Sequence, residues 1–239
     1  MRILITNDDG VNSPVLPALA RFARRFGEVT VIAPKVEQSG MSHAIDFIHP
    51  IEIKKVMIAP DVEAYSMDST PADCVRFGVL GLKEHFDLVL SGINRGYNLG
   101  SDIVYSGTVA AIFEAARLGV KGIALSAEPA HFEAAAEKLP EVFEYIEKQE
   151  LLDRGSWYNI NIPSKIKDIK ITRQGGIFFT DRFINTKGDI FVQEGEQAQT
   201  VARDTTLDID AVISGFVSIT PLLATRTDDE LFKKLTKSK

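Results

Sequence analysis

Cysteine is almost missing from this chain of 239 residues: only Cys74 is present, so no internal disulfide and no cysteine-built metal cluster is available. That thiol reads as a small buried group on a helix. Positive charge is also in deficit, since Asp and Glu outnumber Lys and Arg 33 to 27 for a formal charge of −6. A surface of that sign has no general attraction for polyanions, and the one basic cluster is Lys233, Lys234, Lys237 and Lys239 in the tail. Nucleic acid is therefore not an expected partner. Long apolar runs are missing as well. Ile3-Leu4-Ile5 is soon cut off by Asn7 and Asp8, which leaves no signal-peptide core, and no apolar stretch approaches the roughly 20 residues that span a bilayer. The expectation is a cytoplasmic protein with no membrane partner. Internal repeats and low-complexity linkers are not found either.

The 45% hydrophobic content suffices for a full core, as one large α/β domain or as one domain with an elaboration. In the first half, β-rich runs alternate with helical patterns, the arrangement of a parallel sheet covered by helices. Arg2 to Thr6, Val29 to Ala33, Phe86 to Leu90 and Gly122 to Ser126 read as strands. Helices are expected from Ser13 and Pro14 up to Gly27, from Thr70-Pro71 to about Leu80, from Thr108 to Leu118, and from about Ala130 to Gln149. Between Ala44 and Met67 the apolar period is close to two, which predicts short strands joined by turns at Pro50 and Pro60. Beyond Leu151 the pattern changes. Trp157 to Ile162, Ile169 to Thr172, Ile177 to Ile184 and Ile190 to Glu194 look like strands without long helices between them. Residues 1–150 are thus expected to form an α/β domain, and 151–239 an added β-rich C-terminal region available as a subunit interface for oligomerisation. Phe178, Phe179, Phe183 and Phe191 on that region call for burial, against another chain or within the same one.

The residues with chemical potential gather after the expected parallel strands. Asn7-Asp8-Asp9-Gly10 follows the first strand. Two adjacent carboxylates at the end of a buried strand either hold a cation, which offsets the several kcal/mol of bringing both charges into a cleft, or divide into a helix cap and a solvated side chain. After the second strand comes the polar loop from Glu37 to His43, which contains Ser39, and after the strand ending at Leu90 comes the stretch from Ser91 to Gly100, which contains Asn94. Ligands of open α/β sheets bind beyond the carboxyl ends of the strands, where such loops converge. Asp8, Asp9, Ser39 and Asn94 form an all-oxygen set suited to magnesium, calcium or manganese and not to zinc or copper. Further on, Ser106-Gly107-Thr108 runs directly into a helix, and its free N–H groups and hydroxyls either hold phosphate or simply cap the helix. A metal beside a phosphate site points to phosphoryl chemistry, with Asp8 and Asp9 as the catalytic carboxylates and Asn94, Ser106, Gly107 and Thr108 on the phosphate. Gly92, Gly96, Gly100 and Gly107 permit close backbone approach. His43 is expected to order the loop before it acts on substrate, and Arg95 to meet a phosphate oxygen or solvent.

Five segments resemble the SurE group of survival-protein nucleotidases: ILITNDDG at Ile3–Gly10, AP with EQSG and HAI across residues 33–45, TPADCV at Thr70–Val75, SGINRGYNLGSDIVYSGTVAA at Ser91–Ala111, and GFVSITPL at Gly215–Leu222. The resemblance implies a Rossmann-like α/β fold: a mostly parallel sheet with helices on both faces, plus a C-terminal portion exchanged between subunits of a dimer or tetramer. It implies a metal-dependent phosphatase of nucleoside 5′- and 3′-monophosphates, active on short polyphosphate in some members. One divalent ion per subunit, Mg2+ or Mn2+, is expected on Asp8, Asp9, Ser39 and Asn94. Ser69 departs from the glycine usual before TPADC, and the segment from Lys165 to Thr205 matches the family pattern poorly.

Two other classes compete with an enzyme. A phospho-receiver module also carries an acidic pair after strand one, but it needs a phosphorylatable Asp at the end of a central strand, and Asp87 here precedes its strand. A regulatory module that binds metal and nucleotide without turnover is separated from an enzyme only by measuring turnover.

Overall fold

A computed structural model describes residues 1–198 and 204–236. The first strand, β1 (Arg2–Thr6), sends Ile3 and Ile5 to one face and Leu4 to the other. Both faces are buried, so the strand reads as a continuous apolar run. It pairs in parallel with β2 (Glu28–Pro34) on one side and with β5 (Leu88–Arg95) on the other. Beyond β2 lie β4 (Glu63–Met67), parallel, and β3 (Ile53–Val56), an antiparallel edge. Beyond β5 the parallel sheet continues through β6 (Lys121–Ala127) and β7 (Trp157–Ile162). It is completed by β11 (Phe216–Pro221), antiparallel to β7, and β8 (Asp168–Ile171). The order β3-β4-β2-β1-β5-β6-β7-β11-β8 puts the switch in winding direction between β1 and β5.

Helices cover both faces. On one, α1 (Leu16–Ala23) and α4 (Leu139–Lys148) bury Leu16, Leu19, Val142 and Phe143 against Ile3, Ile5 and Val31. On the other, α2 (Pro71–Arg76) and α3 (Gly107–Arg117) bury Cys74, Val75, Ala111 and Ala115 against Leu4, Ile32 and Val89. Cys74 is the buried helical residue the sequence implies, and burial pushes its thiol up, away from reactivity. The short α5 (Leu151–Arg154) leads into β7.

Several boundaries differ from the pattern-based expectation. Ser13 and Pro14 do not open α1. The proline in its first turn is Pro17, and Val15 takes the cap position without a side-chain bond. The helix expected over 130–149 is split into a 3-10 stretch, Pro129–Lys138, kinked at His131, and α4. Pro140 explains the break, because proline lacks the N–H a helix interior needs and fits only a first turn. The strand expected to stop at Leu90 runs to Arg95 as β5, with a bulge between Ser91 and Asn94. The stretch after it is not an irregular loop, since a 3-10 turn, Gly100–Tyr105, leads into α3.

The expected division near Leu151 does not fall between separate sheets. Five residues of β7 are buried and it pairs along its length with β6, so it is an interior strand. What stands apart is the antiparallel hairpin of β9 (Phe179–Lys187) and β10 (Ile190–Gln197). Sequence patterning misses α6 (Asp208–Ile213), β11 and α7 (Asp229–Thr236). Phe178 is buried with Leu99, Ile209 and Val212 of its own chain, whereas Phe179, Phe183 and Phe191 are exposed.

Candidate active site

The turn after β1 is locked by Asn7, which is fully buried. Its Nδ2 donates to the Gly10 carbonyl (2.9 Å) and its Oδ1 accepts the Gly10 N–H (3.2 Å). Gly10 adopts a φ of +92°, which an L side chain rarely takes, so the turn closes tightly and presents Asp8 and Asp9 beyond the strand end. The Asp8 backbone carbonyl accepts the Gln38 N–H (2.8 Å), which holds the Ser39 loop against the same turn.

Asp8 is buried and faces the first turn of α3. Its Oδ2 accepts the Thr108 N–H (3.1 Å) and its Oδ1 the Thr108 hydroxyl. Burial still pushes its carboxyl above the usual carboxylate range, and the charge of Glu37 adds to the rise. Asp9 accepts the Arg95 N–H on Oδ2 (3.3 Å) and is pushed up to about 6, first by burial and then by the charge of Asp8. Two crowded carboxylates held this way are short of positive charge.

All four candidate ligands border one region. Asp8, Ser39 and Asn94 line a cleft of about 530 Å3, and Asp9 and Ser39 line a second of about 790 Å3, with Arg95 on both. Asn94 donates its Nδ2 to the Gly96 carbonyl (2.9 Å), which leaves Oδ1 as a free acceptor. Ser39 donates its hydroxyl proton to Glu37 (2.8 Å), which keeps its lone pairs available. Among the described residues no group of three or more His, Cys, Asp or Glu is arranged to hold a metal. Two carboxylates with neutral oxygens nevertheless fit a hard divalent cation that completes its shell with water or phosphate oxygens.

Ser106 and Gly107 sit where a phosphate could be met. The Ser106 Oγ accepts the Val109 N–H (3.1 Å) as the cap of α3, and Gly107 contributes an N–H from the first turn. A Cβ on Gly107 would come 3.0 Å from the Asp8 Cβ and 3.2 Å from Pro71, so glycine is what lets the helix start approach the carboxylate. Thr108 is committed elsewhere. Its hydroxyl and N–H both go to Asp8, so it orients the carboxylate where the sequence suggests phosphate contact. His43 pairs with Glu114 (2.9 Å), which also takes Arg76 (2.9 Å) and Arg117 (3.2 Å). It therefore orders the Ser39 loop from behind.

A model of the family described as survival protein SurE matches residues 3–181. The chain belongs to the SurE family. A 5′-nucleotidase SurE of Thermosipho melanesiensis is 40% identical, with 98% of this chain and 96% of that protein covered. One from Clostridium beijerinckii is 37% identical, covering 99% and 98%. The crystal structure of the SurE protein from Aquifex aeolicus superposes with a TM-score of 0.80 at 34% identity, covering 99% of both chains. The α/β fold expected of a SurE protein is the fold found, with its separate C-terminal antiparallel sheet.

Some residues that build this SurE site escape a reading of the sequence. Asn159 and Asn161 each donate Nδ2 to the Asn98 carbonyl (2.8 Å), and Asn161 accepts the Asn98 N–H (2.8 Å). Their signal is nonetheless there, as two amides two residues apart in the apolar strand WYNINI share one face and need partners. Asp208 receives the N–H groups of Gly100 (2.9 Å) and Gly175 (2.8 Å), and Asp102 those of Phe178 (2.8 Å) and Phe179 (2.7 Å). These contacts join segments distant in sequence, and no local pattern announces them.

Proposed function

We propose that this chain is a metal-dependent phosphomonoesterase that converts nucleoside 5′- and 3′-monophosphates to nucleoside and phosphate, with short polyphosphate as a further substrate. The observation that carries the reading is the meeting of the buried Asp8 with the capped start of α3 on a cleft of about 530 Å3, a size suited to a small ligand, with the half-buried Asp9 beside it on the adjoining cleft. The names of the relatives, 5′-nucleotidase SurE, agree with it. Asp8, Asp9, Ser39 and Asn94 would hold one divalent ion, Mg2+ or Mn2+. When bound, that ion supplies positive charge against the phosphoryl oxygens and acidifies water.

The chain's own groups do the rest. Thr108 fixes the rotamer of Asp8, so that the carboxylate is oriented before substrate arrives. The Gly107 N–H, the Ser106 hydroxyl and the Arg95 guanidinium stabilise non-bridging phosphate oxygens as charge builds on them. Asp9, whose Oδ2 is tied to the Arg95 N–H, leaves Oδ1 to take a proton from the attacking water.

The same reading takes the chain as a homodimer or homotetramer of the cytoplasm, where mononucleotides are made and consumed. Support comes from exposed apolar side chains on the hairpin, Phe183, Ile190 and Phe191, and on α7, Leu231, Phe232 and Leu235. No helix among the described residues is long and apolar enough to cross a membrane.

Product analysis tests the reading. Chromatography of adenosine and guanosine 5′- and 3′-monophosphates incubated with protein and Mn2+ should show nucleoside and phosphate in equal amounts. Nucleotide that is retained by the protein but recovered intact would favour the binding module instead.

A further inference from the structure

The cleft beside Asp8 extends past the proposed ion ligands to a wall built by the β9-β10 hairpin, where Phe179, Asp181 and Gln193 line it. The antiparallel register sets Asp181 opposite Gly195 and Phe183 opposite Gln193. Residues directly opposite share a face and successive residues alternate, so Phe179, Asp181, Gln193 and Gly195 all lie on one face of the hairpin. On the other face Arg182 and Glu194 neutralise each other (3.3 Å). Among the described residues the Asp181 side chain enters no hydrogen bond or ion pair, so a carboxylate stands in the cleft with its acceptors free. Gly195 makes room for it, since a Cβ there would lie 2.6 Å from the Asp181 Oδ1.

This wall is fixed relative to the proposed metal site. The hairpin starts at Phe178 and Phe179, whose N–H groups are both held by Asp102, and Ser101 donates its N–H to the Gly176 carbonyl (2.8 Å). Ser101 and Asp102 belong to the 3-10 turn that ends at Ser106, the cap of α3. One continuous segment thus spaces the phosphate-facing helix start from the hairpin face.

We propose that Asp181 and Gln193 read the base of the nucleotide and select guanine. The inference rests on the nucleotidase reading above. Guanine offers N1–H and N2–H as adjacent donors, which a carboxylate accepts in pairs, and its O6 accepts from the Gln193 amide. Adenine presents the N1 lone pair at the matching position, where a carboxylate repels it. Phe179 supplies an apolar face on which either purine can lie, and so contributes affinity without choosing between them.

The test compares kcat/KM for guanosine and adenosine 5′-monophosphates, with p-nitrophenyl phosphate, which has no base, as a monitor of the phosphoryl site. The natural protein should favour guanosine monophosphate by about tenfold or more, as expected where a site built to hydrogen-bond one substrate leaves its polar groups unpaired with another. Asp181→Asn should collapse or reverse that preference through KM, because an amide can pair with adenine N1 and N6. Gln193→Ala should lower it less, and Arg182→Ala on the opposite face should leave it unchanged. A ratio unmoved by Asp181→Asn and Gln193→Ala, with both nucleotides still hydrolysed, overturns the base-reading inference and leaves the nucleotidase reading standing. Hydrolysis of p-nitrophenyl phosphate alone, with neither nucleotide consumed, overturns both.

Discussion

Asp8→Asn is expected to lower nucleotide hydrolysis by about a thousandfold, the scale seen when a preorganised electrostatic element is removed from an active site. The substitution keeps the shape of the side chain, an oxygen to accept the Thr108 N–H and an amide that can donate to the Thr108 hydroxyl oxygen, and it deletes one of two charges that burial and crowding already oppose. The sign of the stability change follows from the direction of the Asp8 shift. A carboxyl raised above its unfolded value makes the ionised form a liability in the metal-free fold, and this liability is felt as the pH rises above the ordinary carboxylate range. At neutral pH the metal-free variant should therefore melt no lower than the parent. Added Mn2+ should raise the melting temperature of the parent and not of the variant. Activity within a few-fold of the parent would remove Asp8 from the ligand set, and a variant that unfolds would make Asp8 a structural residue.

Gly100→Ala is expected to destabilise the fold by about 3 kcal/mol, which for a chain of this size lowers Tm by roughly 6–12 °C. Gly100 has a φ of +57°, and a Cβ there would fall 2.0 Å from the Gly176 carbonyl oxygen, a backbone atom that cannot swing away. The same position donates its N–H to Asp208, so the shift also breaks the contact between the active-site turn and the start of α6. Gly188→Ala is the matching control. Its φ is +58° with no atom near the new Cβ, so only the left-handed strain remains, about 1 kcal/mol. Equal melting temperatures for the two variants would show that the approach of Gly176 carries no weight.

The parts of the fold legible in sequence are those fixed by local periodicity. The apolar runs of β1, β2 and β6 and the caps Thr70 and Ser106 can be read directly, because each strand or helix start follows from residues next to it. The convergence of Asp8, Asp9, Ser39 and Asn94 on one edge of the sheet is legible too, since β1, β2 and β5 are recognisable from their own residues and each carries one of these segments at or just beyond its carboxyl end. The bond from Thr108 to Asp8 is not legible because the two are 100 residues apart, and a hydroxyl at a helix start looks the same whether it faces a phosphate or a carboxylate. The separate hairpin is visible in the pattern, but not its grip on the turn through Asp102, which is likewise a distant contact. The strands β7, β8 and β11 are assigned to an appendage or missed because sheet membership depends on pairing partners and not on the strand's own residues.

Collection of a divalent ion by Asp8 and Asp9 for phosphate-ester hydrolysis is decided by measuring phosphate released from guanosine and adenosine 5′-monophosphates by chelator-stripped protein, before and after Mg2+ or Mn2+ is restored. Release that appears only with the restored ion is the predicted result. Equal release with and without metal, or none with any metal from protein that is folded, would contradict it.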